Sequence, residues 1–428
     1  MVHIPARRHT HSEPRTPAKV SFPDLMAALD GYLRDTGQQP MMLGGWDVED
    51  AAIHPPATLE ARLCSIVERP HRYTYTKDFL HARERAAQIF ARSMSFDGRP
   101  LQPENVSILH NSTQGLLLAL AALKEQDIRR VVVATPVYFA AIETCRLLGI
   151  DAVLVPAAEY LTGTLDLDRL LSELRVPHSA LLLTNPAYSL GVQHPPESLS
   201  SLFAALPRET WVLLDESRLG LHWHDPSPWY SASFPERTLV LRSPSKVFFT
   251  NGLKTSLLFG PSTVLRSIER LADVLVGSAP GNAEFVALAY LDAWNDWEAE
   301  ARMRQHGPFQ AWRAQVVAQL RANLGRIQPD LDQYGLLCSP IDSGPHLLAA
   351  LPHAHEHRVD PIELARHEGV HVMMSSHFFH ESDAWSGFRI NLCGDAACTR
   401  AALLHVLDRL YPEIRINVHA AEPFTSGR

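Results

Sequence analysis

The chain has 428 residues, 46% of them hydrophobic and 20% charged, with a formal net charge of −8 at pH 7. That length and apolar content suffice for two packed domains, and the mild acidity argues against nucleic acid or membrane partners. No apolar run approaches the ~18 residues of a membrane span. The five cysteines (Cys64, Cys145, Cys338, Cys393, Cys398) are odd in number and scattered, without CxxC spacing. This pattern suggests reduced thiols and a cytoplasmic location. The basic stretch Ala6 to Ser12 has no apolar segment after it, so no secretory signal is expected.

In chain order, residues 1–20 are polar and proline-rich and read as a flexible N-terminal arm. Pro23 to Thr36 carries a helical pattern and leads into Met41-Met42-Leu43-Gly44-Gly45-Trp46. From about 55 to 300, short apolar runs alternate with helical segments. This is the signature of a mostly parallel sheet between helices, so the fold class is α/β. Val106 to Leu109 is predicted as a strand, His110 to Gly115 as a turn and Leu116 to Lys124 as a helix. Further strands are predicted at Ala180 to Thr184, Trp211 to Leu214 and Thr238 to Leu241. Helical segments from Glu284 to Leu324 bridge to a smaller α+β part. Its predicted strands are Leu347 to Leu351 and Phe388 to Leu392, and its closing helix Ala397 to Leu410. The expected division is a large domain over 55–300, a small domain from 21–54 and 301–416, and a flexible tail over 417–428.

Four of these apolar runs end in residues with chemistry. Lys246 follows the Thr238 to Leu241 run among small hydroxyl residues, which makes it a candidate Schiff-base nucleophile. Asp215, at the end of the Trp211 to Leu214 run, is the carboxylate that a pyridinium nitrogen needs. Together they point to pyridoxal phosphate (PLP), whose lysine imine and acidic ring-nitrogen partner form its signature. Either residue alone reads as readily as a surface lysine or a turn aspartate. A third run feeds His110-Asn111-Ser112-Thr113-Gln114-Gly115. Free amides and the positive end of the following helix make it a phosphate cradle, or else an ordinary helix cap. The fourth run feeds Asn185-Pro186-Ala187-Tyr188-Ser189-Leu190-Gly191.

With these motifs in this order, the chain resembles the class I/II aminotransferase family of PLP-dependent enzymes, with the type I fold, from roughly Met42 to Pro412. The strongest motif is Ser243-Pro244-Ser245-Lys246 followed by Gly252-Leu253-Lys254. The resemblance implies that Lys246 forms the imine, while Ser112, Thr113, Ser243 and Lys254 hold the phosphate. It implies that Asp215 pairs with the ring nitrogen, Tyr138 stacks on the ring and Arg389 binds the substrate α-carboxylate. Tyr73 matches a tyrosine that reaches the phosphate from a partner subunit, which implies a homodimer. Gly45 and Trp46 fall in the family's substrate-facing loop, although Trp46 reads equally as a core tryptophan.

The chemistry asks for these residue types. A carboxylate beside the ring nitrogen keeps it protonated and makes the ring an electron sink. A lysine of lowered pKa can act as general base and acid at the substrate Cα, and the arginine fork grips a carboxylate with two hydrogen bonds. Lys254 keeps the charge of the arginine usual at its position but not the fork. Two departures matter more. Aligned on Gly191, Tyr188 stands where the family places an asparagine against the cofactor's phenolic oxygen, although a shifted alignment puts Asn185 there. Arg218 stands where the other usual ligand to that oxygen is a tyrosine. A fixed cation there favours the phenolate anion.

Other features carry two readings. His353, His355 and His357 alternate as a metal site would want, but their neighbours suit a solvated loop. His222 and His224 flank Trp223 and either line the cofactor side or pack the sheet end. His377 and Phe378 fall where the family has a loop near the substrate side chain. The expected function is a PLP enzyme that acts on an α-amino acid through a Cα carbanion, most simply an aminotransferase using a keto acid co-substrate. Side-chain elimination or replacement, cyclisation or oxidation is the alternative. A non-catalytic relative is disfavoured by the retained Lys246, and a regulator by the short stretch ahead of the first helix, which cannot form a DNA-binding domain.

Overall fold

The computed structural model describes residues 22–45, 53–68, 79–156, 159–275, 277, 282–352, 355, 358–380, 382 and 384–412. The predicted arm and tail, together with Trp46, Tyr73, His353 and His357, lie outside these residues.

The central feature is a seven-stranded sheet. Its spatial order is Val106–Leu109, Ser256–Phe259, Thr238–Arg242, Trp211–Glu216, Ser179–Thr184, Arg130–Thr135 and Asp151–Pro156. Only Ser256–Phe259 runs against its two neighbours. The inner strands are unbroken apolar runs, such as Val131-Val132-Val133 and Leu181-Leu182-Leu183, because helices cover both faces. Alternate residues feed the two layers. Val212 and Leu214 join one core with Phe90 and Trp294, while Trp211 and Leu213 join the other with Leu120 and Ile268. This is the type I fold expected from the sequence.

Glu216 breaks the apolar rule deep in the sheet. Arg242, its register partner on the next strand, meets it with Nε and Nη2 at 2.9 and 2.8 Å. Tyr230 donates its hydroxyl to the other carboxylate oxygen, and the Arg242 guanidinium sits 5.2 Å from the Phe90 centroid. The pair is almost wholly shielded from water.

A smaller antiparallel sheet is built from Leu337–Cys338, His346–Pro352, Trp385–Asn391 and Met373–Met374. The helix Phe22–Thr36 packs on Pro361–Glu368 through Leu25, Ala28, Leu29 and Ala365. The chain then forms a parallel two-residue ladder, Met41–Met42 beside Val370–His371. Among the described residues no helix is long and apolar enough to cross a membrane. All five cysteines are free thiols.

Several boundaries differ from expectation for local reasons. The cradle helix spans Ser112–Glu125 and starts four residues early, because Asn111 caps it by accepting the Gln114 N–H at 2.9 Å. Asp215 and Glu216 belong to their strand rather than to a turn. The bridge is two helices, Ala283–Met303 and Pro308–Gln333, and the first buries Tyr290, Trp294 and Trp297. His355 packs its ring 5.3 Å from Tyr411, and among the described residues no group of three His, Cys, Asp or Glu suits a metal. His222 bridges to Ser343 at the sheet end, where burial lowers its pKa to about 4; His224 is exposed.

Candidate active site

The carboxyl ends of the parallel strands open onto a cavity of about 580 Å³. Open α/β sheets bind ligands at this edge. Lys246, in the single helical turn Pro244–Val247, lines it together with Asp215 from the adjacent strand. Burial pulls the Lys246 amine down to about 8. Asp215 opposes the shift, and the Arg218 and Lys254 cations add to it. A far larger fraction of the amine is therefore neutral near pH 7 than in an ordinary lysine. Asp215 is held on the strand end by Ser217, whose backbone N–H (2.9 Å) and hydroxyl both donate to Oδ1.

Because Asn111 takes the capping role, the Ser112 and Thr113 side chains are left at the cavity wall at the positive end of the helix. Tyr138, just before the helix Phe139–Leu148, hydrogen-bonds Thr113, and burial raises its phenol pKa. Ser243 donates to the Thr255 carbonyl at 3.0 Å, and Lys254 stands exposed at the rim. Asn251, between the two lysines, lines the cavity with a buried Nδ2 that has no hydrogen-bond partner among the described residues.

Tyr188, not Asn185, lines the cavity. The Asn185 Oδ1 accepts the His194 N–H at 2.9 Å and its Nδ2 donates to Tyr230 at 3.4 Å, so the asparagine braces its own loop. Gly191 closes that loop at φ +70°. A Cβ there would stand 2.3 Å from the His346 carbonyl oxygen, so only glycine fits.

Arg218 reaches 2.7 Å from Nδ1 of His346. Burial, Arg218 and Arg389 hold that imidazole well below its ordinary pKa, so it accepts this bond as the neutral form. Arg389 donates Nε (2.7 Å) and Nη2 to the Gly44 carbonyl, and Nη1 to Ser189 (3.2 Å) and Tyr188 (3.4 Å). Asn391 donates to the Gly45 carbonyl at 2.6 Å, which fixes the 41–45 segment over the small sheet.

His377 and Phe378 do not reach the cavity. Nδ1 of His377 accepts the Met374 N–H at 3.1 Å, and Phe378 is buried edge-on against Tyr188. Asn251 and His371 are among the wall residues that no sequence signal singled out.

This donor set suits a phosphate-bearing pyridine. Two hydroxyls freed from capping, an unpartnered amide and a lysine can meet a phosphate, and a fixed carboxylate can meet a ring nitrogen. The sequence pattern described as Aminotransferase class I and II matches residues 51–410. The chain belongs to this family, a family of PLP-dependent transferases. It is 22% identical over 236 residues to the aspartate aminotransferase of Pyrococcus horikoshii, across 54% of this chain and 59% of that protein. It is 22% identical over 255 residues to the (5-formylfuran-3-yl)methyl phosphate transaminase of Methanocaldococcus jannaschii, across 59% and 64%. Both alignments span less than two thirds of the relative. A single mutant of Thermus thermophilus aspartate aminotransferase superposes with a TM-score of 0.71 at 18% identity, over 94% of this chain and all of that one. An Escherichia coli protein with a reported methionine aminotransferase function superposes at 0.68 and 18%, over 93% and 98%. These likenesses establish the type I fold for this member of the class I and II aminotransferase family.

Proposed function

We propose that the chain is a PLP-dependent aminotransferase that takes the amino group of an α-amino acid and passes it to a keto acid, working as a homodimer. The observation that carries this reading is the pairing of Lys246, its pKa lowered to about 8, with Asp215 in one cavity. PLP, when bound, supplies an electron sink for deprotonation at the substrate Cα. Ser112, Thr113, Ser243, Lys254 and Asn251 would hold its phosphate, and Tyr138 would cover its ring. Asp215 would keep a proton on the ring nitrogen, and Tyr188 and Arg218 would address the phenolic oxygen. The Lys246 amine would take the Cα proton and return it, and Arg389 would grip the α-carboxylate. The 41–45 segment, tethered by Arg389 and Asn391, would help exclude water.

Borohydride reduction of the holoenzyme should fix the cofactor on the Lys246 peptide, and single turnovers with amino acids should release the matching keto acids. Label on another residue overturns the reading. The Tyr188 and Arg218 departures favour one second reading, elimination, replacement, cyclisation or oxidation of the amino acid. A product altered in its side chain identifies that class.

A further inference from the structure

His371 has no role in the scheme above. It ends the Val370–His371 strand, is 1% exposed, and lines the cavity. Neither ring nitrogen meets a hydrogen-bond partner from another residue among the described residues; only the residue's own backbone comes close enough to hydrogen-bond the ring. A buried imidazole left this way costs stability, so its retention at a cavity wall points to a ligand. Burial, then the nearby Arg389 cation and His377, lower its pKa to about 3. It is therefore a neutral ring with one donor and one acceptor nitrogen.

Apolar side chains flank the ring, and Gly45 lies beside its Nδ1. Phe22 meets the ring edge-on at 6.5 Å, and Met42 lines the same wall. A Cβ on Gly45 would stand 3.2 Å from the His371 Nδ1 and 2.4 Å from the Met42 methyl. Glycine at 45 keeps the approach to that nitrogen clear.

We propose that His371 selects the substrate side chain, pairing with an uncharged hydrogen-bonding group, a hydroxyl or an amide, on an otherwise apolar amino acid. This rests on the reading of the cavity as an amino-acid site. On that reading Arg389 takes the α-carboxylate. A distal carboxylate would meet a neutral imidazole among thioethers and a phenyl ring, with the nearby Arg389 cation already taken by the α-carboxylate.

The test uses α-methyl amino acids, which bind without losing a Cα proton, titrated calorimetrically into the holoenzyme. Two pairs isolate the polar group: α-methyltyrosine against α-methylphenylalanine, and α-methylglutamine against α-methylmethionine. Within at least one pair the polar member should bind ~10-fold tighter or more, since a site with unpaired polar groups penalises the analogue that cannot satisfy them. H371F should bring that pair within about threefold by weakening the polar member. If H371F does not fold, H371L serves, and G45A crowds the same nitrogen from the open side. Equal binding within both pairs, or a preference that survives these variants, overturns the role of His371. Tightest binding of α-methylaspartate or α-methylglutamate, lost in H371F, also overturns it by making the ring a cation. If no α-methyl amino acid binds the folded holoenzyme, the amino-acid reading of the cavity itself fails.

Discussion

The Arg218 guanidinium carbon lies 5.0 Å from the centroid of the Tyr188 ring, and the Arg389 guanidinium carbon lies 5.8 Å from the same centroid. Tyr188 thus links the arginine expected near the cofactor's phenolic oxygen to the arginine expected at the substrate carboxylate. Contacts of this type are worth about 0.5–1 kcal/mol when exposed and about 2 kcal/mol or more when desolvated. Arg218→Met, Tyr188→Leu and the double variant should therefore show a coupling of that size in urea unfolding. Losses that add to within ~0.3 kcal/mol would mean the two side chains act independently. In the holoenzyme, Tyr188→Asn with Arg218→Tyr restores the family's usual pair. The two single changes should shift the pH dependence of the visible band non-additively.

A second prediction follows from the Lys246 amine, held near 8 against an ordinary value of 10.5. Below pH 8 the amine is protonated in folded and unfolded chains alike, and the cost of burying its charge is fully present. Between 8 and 10.5 the unfolded chain binds more protons, so this contribution to stability rises with pH. The gap corresponds to roughly 3 kcal/mol at most. Cofactor-free Lys246→Met should be more stable than the parent at pH 7, and the difference should shrink as pH rises from 8 towards 10.5. Urea titrations across that range check it. A pH-independent difference would show that the amine is not desolvated.

The fold was legible wherever burial on both faces forces unbroken apolar runs, as at Leu181-Leu182-Leu183 and Val212-Leu213-Leu214. Lys246, Asp215, Ser112 and Thr113 were legible because each stands at the end of such a run. What stayed hidden depends on distant partners. His371 is confined by Phe22 and by a ladder with Met41–Met42, and nothing near it in sequence announces either. Asn111, Ser112 and Thr113 are all good caps, so only the backbone shows that Asn111 takes the role. The strand Met373–Met374 and its following turn carry His377 and Phe378 away from the cavity, although they lie only a few residues beyond His371.

The Arg242–Glu216 pair predicts a large, asymmetric stability effect. Removing one member leaves a buried charge with little compensation, which typically costs 3–5 kcal/mol, roughly. Arg242→Met should show a loss of that order, because among the described residues Glu216 keeps only the side-chain bond from Tyr230. Adding Glu216→Gln removes the orphaned charge and should recover most of it. If Arg242→Met alone unfolds at the parent's urea midpoint, the pair is hydrated or otherwise neutralised.

Arg389 raises a question that one substitution cannot answer. Two of its N–H groups are spent on the Gly44 carbonyl, so truncation loosens the 41–45 segment from the small sheet as well as removing the proposed carboxylate anchor. A loosened segment should slow every substrate, whereas a lost anchor should slow only those with an α-carboxylate. Arg389→Ala should therefore be measured on an amino acid and on the amine that lacks its carboxylate. The amino acid should lose about 2–5 kcal/mol of kcat/KM more than the amine, the range for removing one partner of a desolvated charge pair. Arg389→Lys keeps the charge but not the fork, and should fall between parent and alanine variant on the amino acid alone. Equal losses on both compounds would confine Arg389 to tethering the Gly44 segment and leave the α-carboxylate to another group.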